Sequence, residues 1–78
     1  MTNKEIAKIL FEISELLEMQ EVQFKPRAYQ RAAMTVESHP KELKDLYNKC
    51  GRECLDDLPG IGESISKKIE ELIKTNRL

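Results

Sequence analysis

The apolar positions of this chain recur at helical spacing almost from its first residue. Ile6, Ile9, Leu10, Ile13, Leu16 and Leu17 form one stripe when wound at the period of an α-helix. Thr2 and Glu5 stand just ahead of that stripe at the spacing of a capping box, so a helix is predicted from about Asn3 to Gln20. A second periodic stretch begins near Phe24 or Lys25 and ends before His39-Pro40. Pro26 suits its first turn, where a missing N–H costs little. Ala28, Ala32, Ala33 and Val36 make its inward face, with side chains small enough to let another helix approach closely. Tyr29 falls within this arc and Lys25 lies one turn before it on the same side, while Arg27, Gln30 and Arg31 point the other way.

A short third helix is predicted from about Lys41 to Lys49, with Leu43, Leu46 and Tyr47 inward and Gly51 available to end it. A shorter one, roughly Arg52 to Leu58, leads into PGIG. The last begins near Gly62 and runs to about Thr75, with Ile61, Ile65, Ile69, Leu72 and Ile73 as its buried stripe. The alternation of β-branched and aromatic residues that marks strands is absent. The predicted fold class is therefore all-α, a small bundle of four or five helices with short connections.

Composition narrows this picture. At 78 residues the chain is expected to form one helical domain, residues 1–78, with a small core. It is 40% hydrophobic and 35% charged, which suits a compact helical unit with a well-solvated surface. A formal net charge of −1 gives no global attraction to a polyanion, so any nucleic-acid site must be a local patch. No apolar run approaches the ~20 residues of a membrane span, so no membrane partner is expected. Cys50 and Cys54 make a poor disulfide framework, and a reduced cytoplasmic setting is the default. Cys54 is expected to be a small half-buried residue and Cys50 a loop thiol. With His39 they lack a good fourth zinc ligand and a familiar finger spacing.

Chemistry concentrates in LPGIGESISKKIEEL, Leu58 to Leu72. Pro59 fixes φ and stops the preceding helix, while Gly60 and Gly62 permit unusual dihedrals and clear side chains from the turn. Ile61 can plug the turn into the core. The start of the following helix then offers backbone N–H groups to an anion. By itself such a turn is an ordinary helix–helix connection. The full string LPGIGxxxxxKI, however, resembles the helix-hairpin-helix motif of DNA-repair and replication proteins, here spanning about residues 52–75. That resemblance implies contact with the sugar-phosphate backbone without reading sequence. It also implies a monovalent cation, Na+ or K+, held by hairpin carbonyls, for which Leu58 and Ile61 are the candidates.

The segment FKPRAYQRAA, Phe24 to Ala33, placed ahead of that turn narrows the match further. Together they resemble the amino-terminal 5′-phosphate-binding and lyase domain of family X DNA polymerases, the bacterial and archaeal branch above all, over nearly the whole chain to its closing TNRL. The resemblance implies binding to gapped, nicked or abasic DNA in base excision repair. It implies a polymerase domain in cis if the chain is a fragment, and a nucleoid-associated place in a prokaryotic cytoplasm. No polymerase palm fits in 78 residues. In such domains a lysine on the helix after the hairpin attacks C1′ of an abasic sugar, and the pattern places that nucleophile at Lys68. Neither a metal nor a redox cofactor is required for that lyase chemistry. Helix geometry agrees, since Lys68 flanks the buried stripe whereas Lys67 lies nearly opposite it. A flanking amine is the easier one to deprotonate, though a lysine there also commonly covers apolar surface or pairs with Glu71.

Lys25 and Tyr29 match a lysine and a tyrosine of the family's pocket, and Arg31 matches a basic position that can touch phosphate. Gly60, Ile61, Gly62 and Ser64 complete the phosphate-binding candidates. Ser64 departs from the pattern, standing where a phosphate-binding lysine occurs in vertebrate relatives, and Asp56 and Asp57 replace basic positions. These changes predict weaker, salt-sensitive binding. Two alternatives follow, a non-catalytic hairpin module on the DNA backbone and a helical protein-interaction domain.

Overall fold

In the computed structural model, which describes residues 1–75, the described residues form five α-helices and no strand. The helices are α1 (Asn3–Met19), α2 (Lys25–Ser38), α3 (Leu43–Cys50), α4 (Arg52–Asp56) and α5 (Glu63–Thr75). Of the closing TNRL, residues 76–78 lie outside the described residues. α1 and α2 pack as an antiparallel pair, α3 packs on α4, and α4 on α5. None of these helices is long and apolar enough to cross a membrane.

The helix starts follow from local chemistry. The Thr2 hydroxyl accepts the Glu5 N–H (3.2 Å), and the Thr2 N–H donates back to the Glu5 carboxylate (2.9 Å), which completes the predicted capping box. α2 opens with Pro26 buried in its first turn. Gly51, at φ 75, ends α3 and begins α4. The fourth helix stops at Asp56, shorter than the predicted run to Leu58, because the Leu58 N–H donates to the Leu55 carbonyl (3.2 Å) in a tightened last turn.

One core joins all five elements: Ile6, Ala7 and Leu10 of α1, Ala32, Ala33 and Val36 of α2, Leu43, Leu55, then Ile61, Ile65, Ile69 and Leu72. Two predicted core positions are exposed instead. Leu16 is 57% exposed. The buried face of α1 is rotated away from Leu16 toward Ala7 and Ser14, both of them small. Ser14 tolerates burial because its hydroxyl donates to the Phe11 carbonyl (2.6 Å). Ala28 is also exposed, and it lines a surface cleft instead.

A polar clamp that local patterning does not reveal fastens the two halves. Buried Asn3 donates through Nδ2 to the Lys41 carbonyl (2.7 Å) and accepts the Leu43 N–H at Oδ1 (2.7 Å), and its own N–H donates to Glu42 (3.1 Å). At the other end the Tyr47 hydroxyl donates to Glu70 (2.8 Å), tying α3 to α5.

The capping box carries a pH dependence. The Thr2 N–H, and secondarily the Thr2 hydroxyl, hold the Glu5 carboxyl below the ordinary glutamate range. A depressed carboxyl stabilises the fold fully above its unfolded pKa, and that contribution is lost as pH falls through the folded value. Thermal melts from neutral pH downward should therefore show the native chain above Glu5→Gln near pH 7, with the gap closing as the solution is acidified through that range.

Candidate nucleic-acid interface

The hairpin turn is built by four residues. The Ile61 N–H donates to the Leu58 carbonyl (3.2 Å), with Pro59 second and positive-φ Gly60 third, the residue pattern of a type II turn. α2 clasps this turn from the side. The Thr35 hydroxyl donates to the Pro59 carbonyl (3.0 Å). The Arg31 stem crosses Gly60 so closely that a Cβ there would lie 2.9 Å from the Arg31 Cγ and Cδ. Ile61 itself is 4% exposed and sits in the core as expected.

α5 starts directly behind the turn. The Gly62 carbonyl accepts the Ser66 N–H (2.9 Å), while the N–H groups of Glu63, Ser64 and Ile65 have no protein acceptor among the described residues. These three residues, with Gly60 and Gly62, meet Lys25, Ala28 and Tyr29 of α2 around a cleft of about 310 Å³. The cleft thus combines one lysine, one phenol, one hydroxyl and the positive end of a helix. A separate groove of about 460 Å³ lies between the end of α1 and the start of α2, lined by Glu18, Phe24, Arg27 and Gln30 among others, and touches no hairpin residue.

Of the predicted site residues, the structure brings Lys25, Tyr29, Gly60, Gly62 and Ser64 together. Three are placed otherwise. Ile61 spends its side chain on the core and its N–H on Leu58, so neither faces the cleft. Arg31 lines a groove along α2 with Met34 and Thr35, and its stem lies against Gly60. Lys68 is half-buried on the flank of α5, as its helical position requires, but its ammonium pairs with Glu71 (3.8 Å) and does not line the cleft. Lys67 is exposed and pairs with Glu63 (3.3 Å). Gly62 does not need its glycine for backbone freedom, since its φ is not positive and a Cβ there would meet nothing within 4 Å.

Three features went unread in the sequence. Glu63 brings a carboxylate to the cleft rim, and its spacing to Lys67 was the available signal. Phe24 occupies a strained γ-turn at φ 69, with the Lys25 N–H donating to the Gln23 carbonyl (2.8 Å), and is 87% exposed beside Lys25. Asp56, considered only as a lost positive charge, accepts a hydrogen bond from the fully buried Ser66 hydroxyl and pairs with Arg52 (3.9 Å). The cysteines also differ from expectation. Cys50 is the last residue of α3 rather than a loop thiol, and its sulfur meets that of Cys54.

α4 and α5, joined by a tight glycine turn, with N–H groups lacking a protein acceptor among the described residues at the start of α5 beside a lysine of α2, form a helical hairpin. The chain belongs to the helix-hairpin-helix domain family, whose model matches residues 1–78. Searches of the curated proteins and of the solved structures return no match.

The two glycines should separate in their effects. Gly60→Ala forces a side chain into positive φ against Arg31 and should cost about 1–2 kcal/mol, roughly 4–16 °C in melting temperature for a domain of this size. Gly62→Ala should melt within a few degrees of the native chain. Calorimetry of both variants checks the pair.

Proposed function

We propose that this chain grips the sugar-phosphate backbone of DNA without reading sequence, seating a terminal 5′-phosphate in the cleft between α2 and the start of α5. One observation carries the reading: Glu63, Ser64 and Ile65, whose N–H groups have no protein acceptor among the described residues, line one open cleft together with Lys25 and Tyr29. Helix-start N–H groups and a lysine suit a phosphate dianion. Membership of the helix-hairpin-helix family supports DNA as the partner. Exposed Phe24, held out on a strained turn next to Lys25, supports an unpaired base beside the phosphate, because an aromatic ring stacks on any base. The finer reading, an amino-terminal domain of a family X DNA polymerase acting on gapped DNA in base excision repair, rests on the resemblance of FKPRAYQRAA and LPGIGESISKKI. With it goes a prokaryotic cytoplasmic setting.

A Na+ or K+ ion at the hairpin fits the donor set. The Leu58 carbonyl keeps a lone pair beyond its bond from the Ile61 N–H, and the Ile61 carbonyl accepts no N–H among the described residues. Such an ion would add positive charge at the turn, where only hard oxygen ligands are offered.

Fluorescence anisotropy with a gapped duplex tests the binding reading. At low salt the chain should prefer a 5′-phosphate over a 5′-hydroxyl end. Lys25→Ala should weaken the phosphorylated complex by roughly threefold to tenfold and flatten the dependence of log affinity on log salt by about 0.9. Equal affinity for the two ends would defeat the phosphate cleft.

A second reading is favoured by the half-buried position of Lys68, one turn after cleft-lining Ser64. Released from Glu71, its neutral amine attacks C1′ of the ring-opened abasic sugar and expels water to form an imine. Loss of a C2′ proton then breaks the C3′–O bond and frees a 5′-phosphorylated DNA end. Borohydride trapping on a 5′-deoxyribose-phosphate substrate should give a covalent adduct that Lys68→Ala abolishes and Lys67→Ala retains. Binding without any adduct would leave a non-catalytic module.

A further inference from the structure

Cys50 closes α3, Cys54 lies on α4, and Gly51 turns the chain between them at φ 75. This turn sets the two Cα atoms 6.0 Å apart, inside the span a disulfide bridges, and brings the sulfur atoms into contact. Cys50 is exposed and Cys54 half-buried, so a small oxidant reaches them without unfolding the chain. The element they touch is weak on its own. α4 has five residues, too few for a helix to hold itself. Its ties are Leu55 in the core, the Ser66 bond to Asp56, and the partly exposed Arg52–Asp56 pair (3.9 Å). α4 is also the first helix of the hairpin, and Asp57, Leu58 and Pro59 follow it directly.

We propose that Cys50 and Cys54 are a reversible dithiol–disulfide pair whose oxidation fastens α4, and with it the hairpin, to α3. The oxidant class is a peroxide. The Cys50 thiolate attacks one peroxide oxygen; an S–O bond forms, the O–O bond breaks, and the departing hydroxide is protonated to water. The Cys54 thiolate then attacks the Cys50 sulfur; the S–S bond forms, the S–O bond breaks, and a second water leaves. Two thiols are oxidised by two electrons in total and one peroxide is reduced to two waters. A dithiol reductant reverses the exchange. In a compartment that keeps thiols reduced, a pair of this kind is transient and reports oxidation. This inference is independent of the DNA reading, because it concerns how firmly α4 is held and not what the cleft binds.

The test treats the native chain with one equivalent of hydrogen peroxide, alkylates the remaining thiols and measures intact mass and amide hydrogen exchange. The expected product is a monomer lighter by two hydrogens and refractory to alkylation. Exchange across Arg52–Asp56 should slow by about tenfold and recover with dithiothreitol. Cys50→Ser and Cys54→Ser should neither form the bond nor show the slowing. The proposal is overturned if both thiols still alkylate after peroxide or if the bond forms between two chains. Unchanged exchange across α4 in a chain whose mass shows the internal bond also overturns it.

Discussion

The burial of Ile61 is the constraint on which the rest of this structure depends. A chain of this size builds one small core, and a surface turn can be rigid only by anchoring in it. Ile61, flanked by glycines, drives its side chain in among core residues that include Leu55, Ile65 and Ile69. With that side chain inward, Gly60 and Gly62 lie outward and the first N–H groups of α5 face solvent. The clasp from α2 then fixes the turn laterally, because Thr35 holds the Pro59 carbonyl and the Arg31 stem lies across Gly60.

The same logic explains why the candidate cleft bridges two distant segments. α2 was legible in the sequence because Pro26, the alanines and His39-Pro40 are local signals, and the capping box of α1 was legible for the same reason. The hairpin was equally plain, since a proline and two glycines at that spacing leave few alternatives. The meeting of Lys25 and Tyr29 with the start of α5 was reached only through resemblance. No local pattern encodes a contact across so many residues. The Asn3 clamp was invisible for a related reason. Its partners lie 38 to 40 positions away, and a lone asparagine at the start of a helix looks like ordinary capping chemistry. The rotated face of α1 was missed because Ala7 and Ser14 carry little hydrophobic signal.

Acidic residues around the hairpin also change meaning once folded. From sequence, Asp56 and Asp57 subtract positive charge from a phosphate site. In the fold Asp56 is occupied by Ser66 and Arg52, and it connects α4 to α5. Glu63, by contrast, does stand at the cleft, where its ion pair with Lys67 offsets part of its charge. Lys25 is then the one basic side chain lining the cleft among the described residues, so much of the attraction for an anion there would fall to backbone dipoles. An interaction of that kind acts at short range and adds little long-range steering, in keeping with a chain of nearly balanced charge.

That division bears directly on the two adjacent lysines of α5. Lys67 and Lys68 are separated by the helical turn, so each meets a different glutamate: Glu63 one turn back for the first, Glu71 on the same turn for the second. Both pairs are exposed enough that water screens them, and an exposed ion pair contributes little to stability. Either lysine can therefore leave its partner at small cost. They differ in where they lead. Lys67 swings into solvent, whereas Lys68 starts on the flank of the apolar stripe, its stem half-buried and one turn from Ser64. A phosphate seated at the free N–H groups would compete with Glu71 for that ammonium, and the ligand itself would then draw Lys68 toward the cleft. The exposed ion pair with Glu71 would not oppose such an exchange strongly, so it is compatible with either a binding or a catalytic role for Lys68.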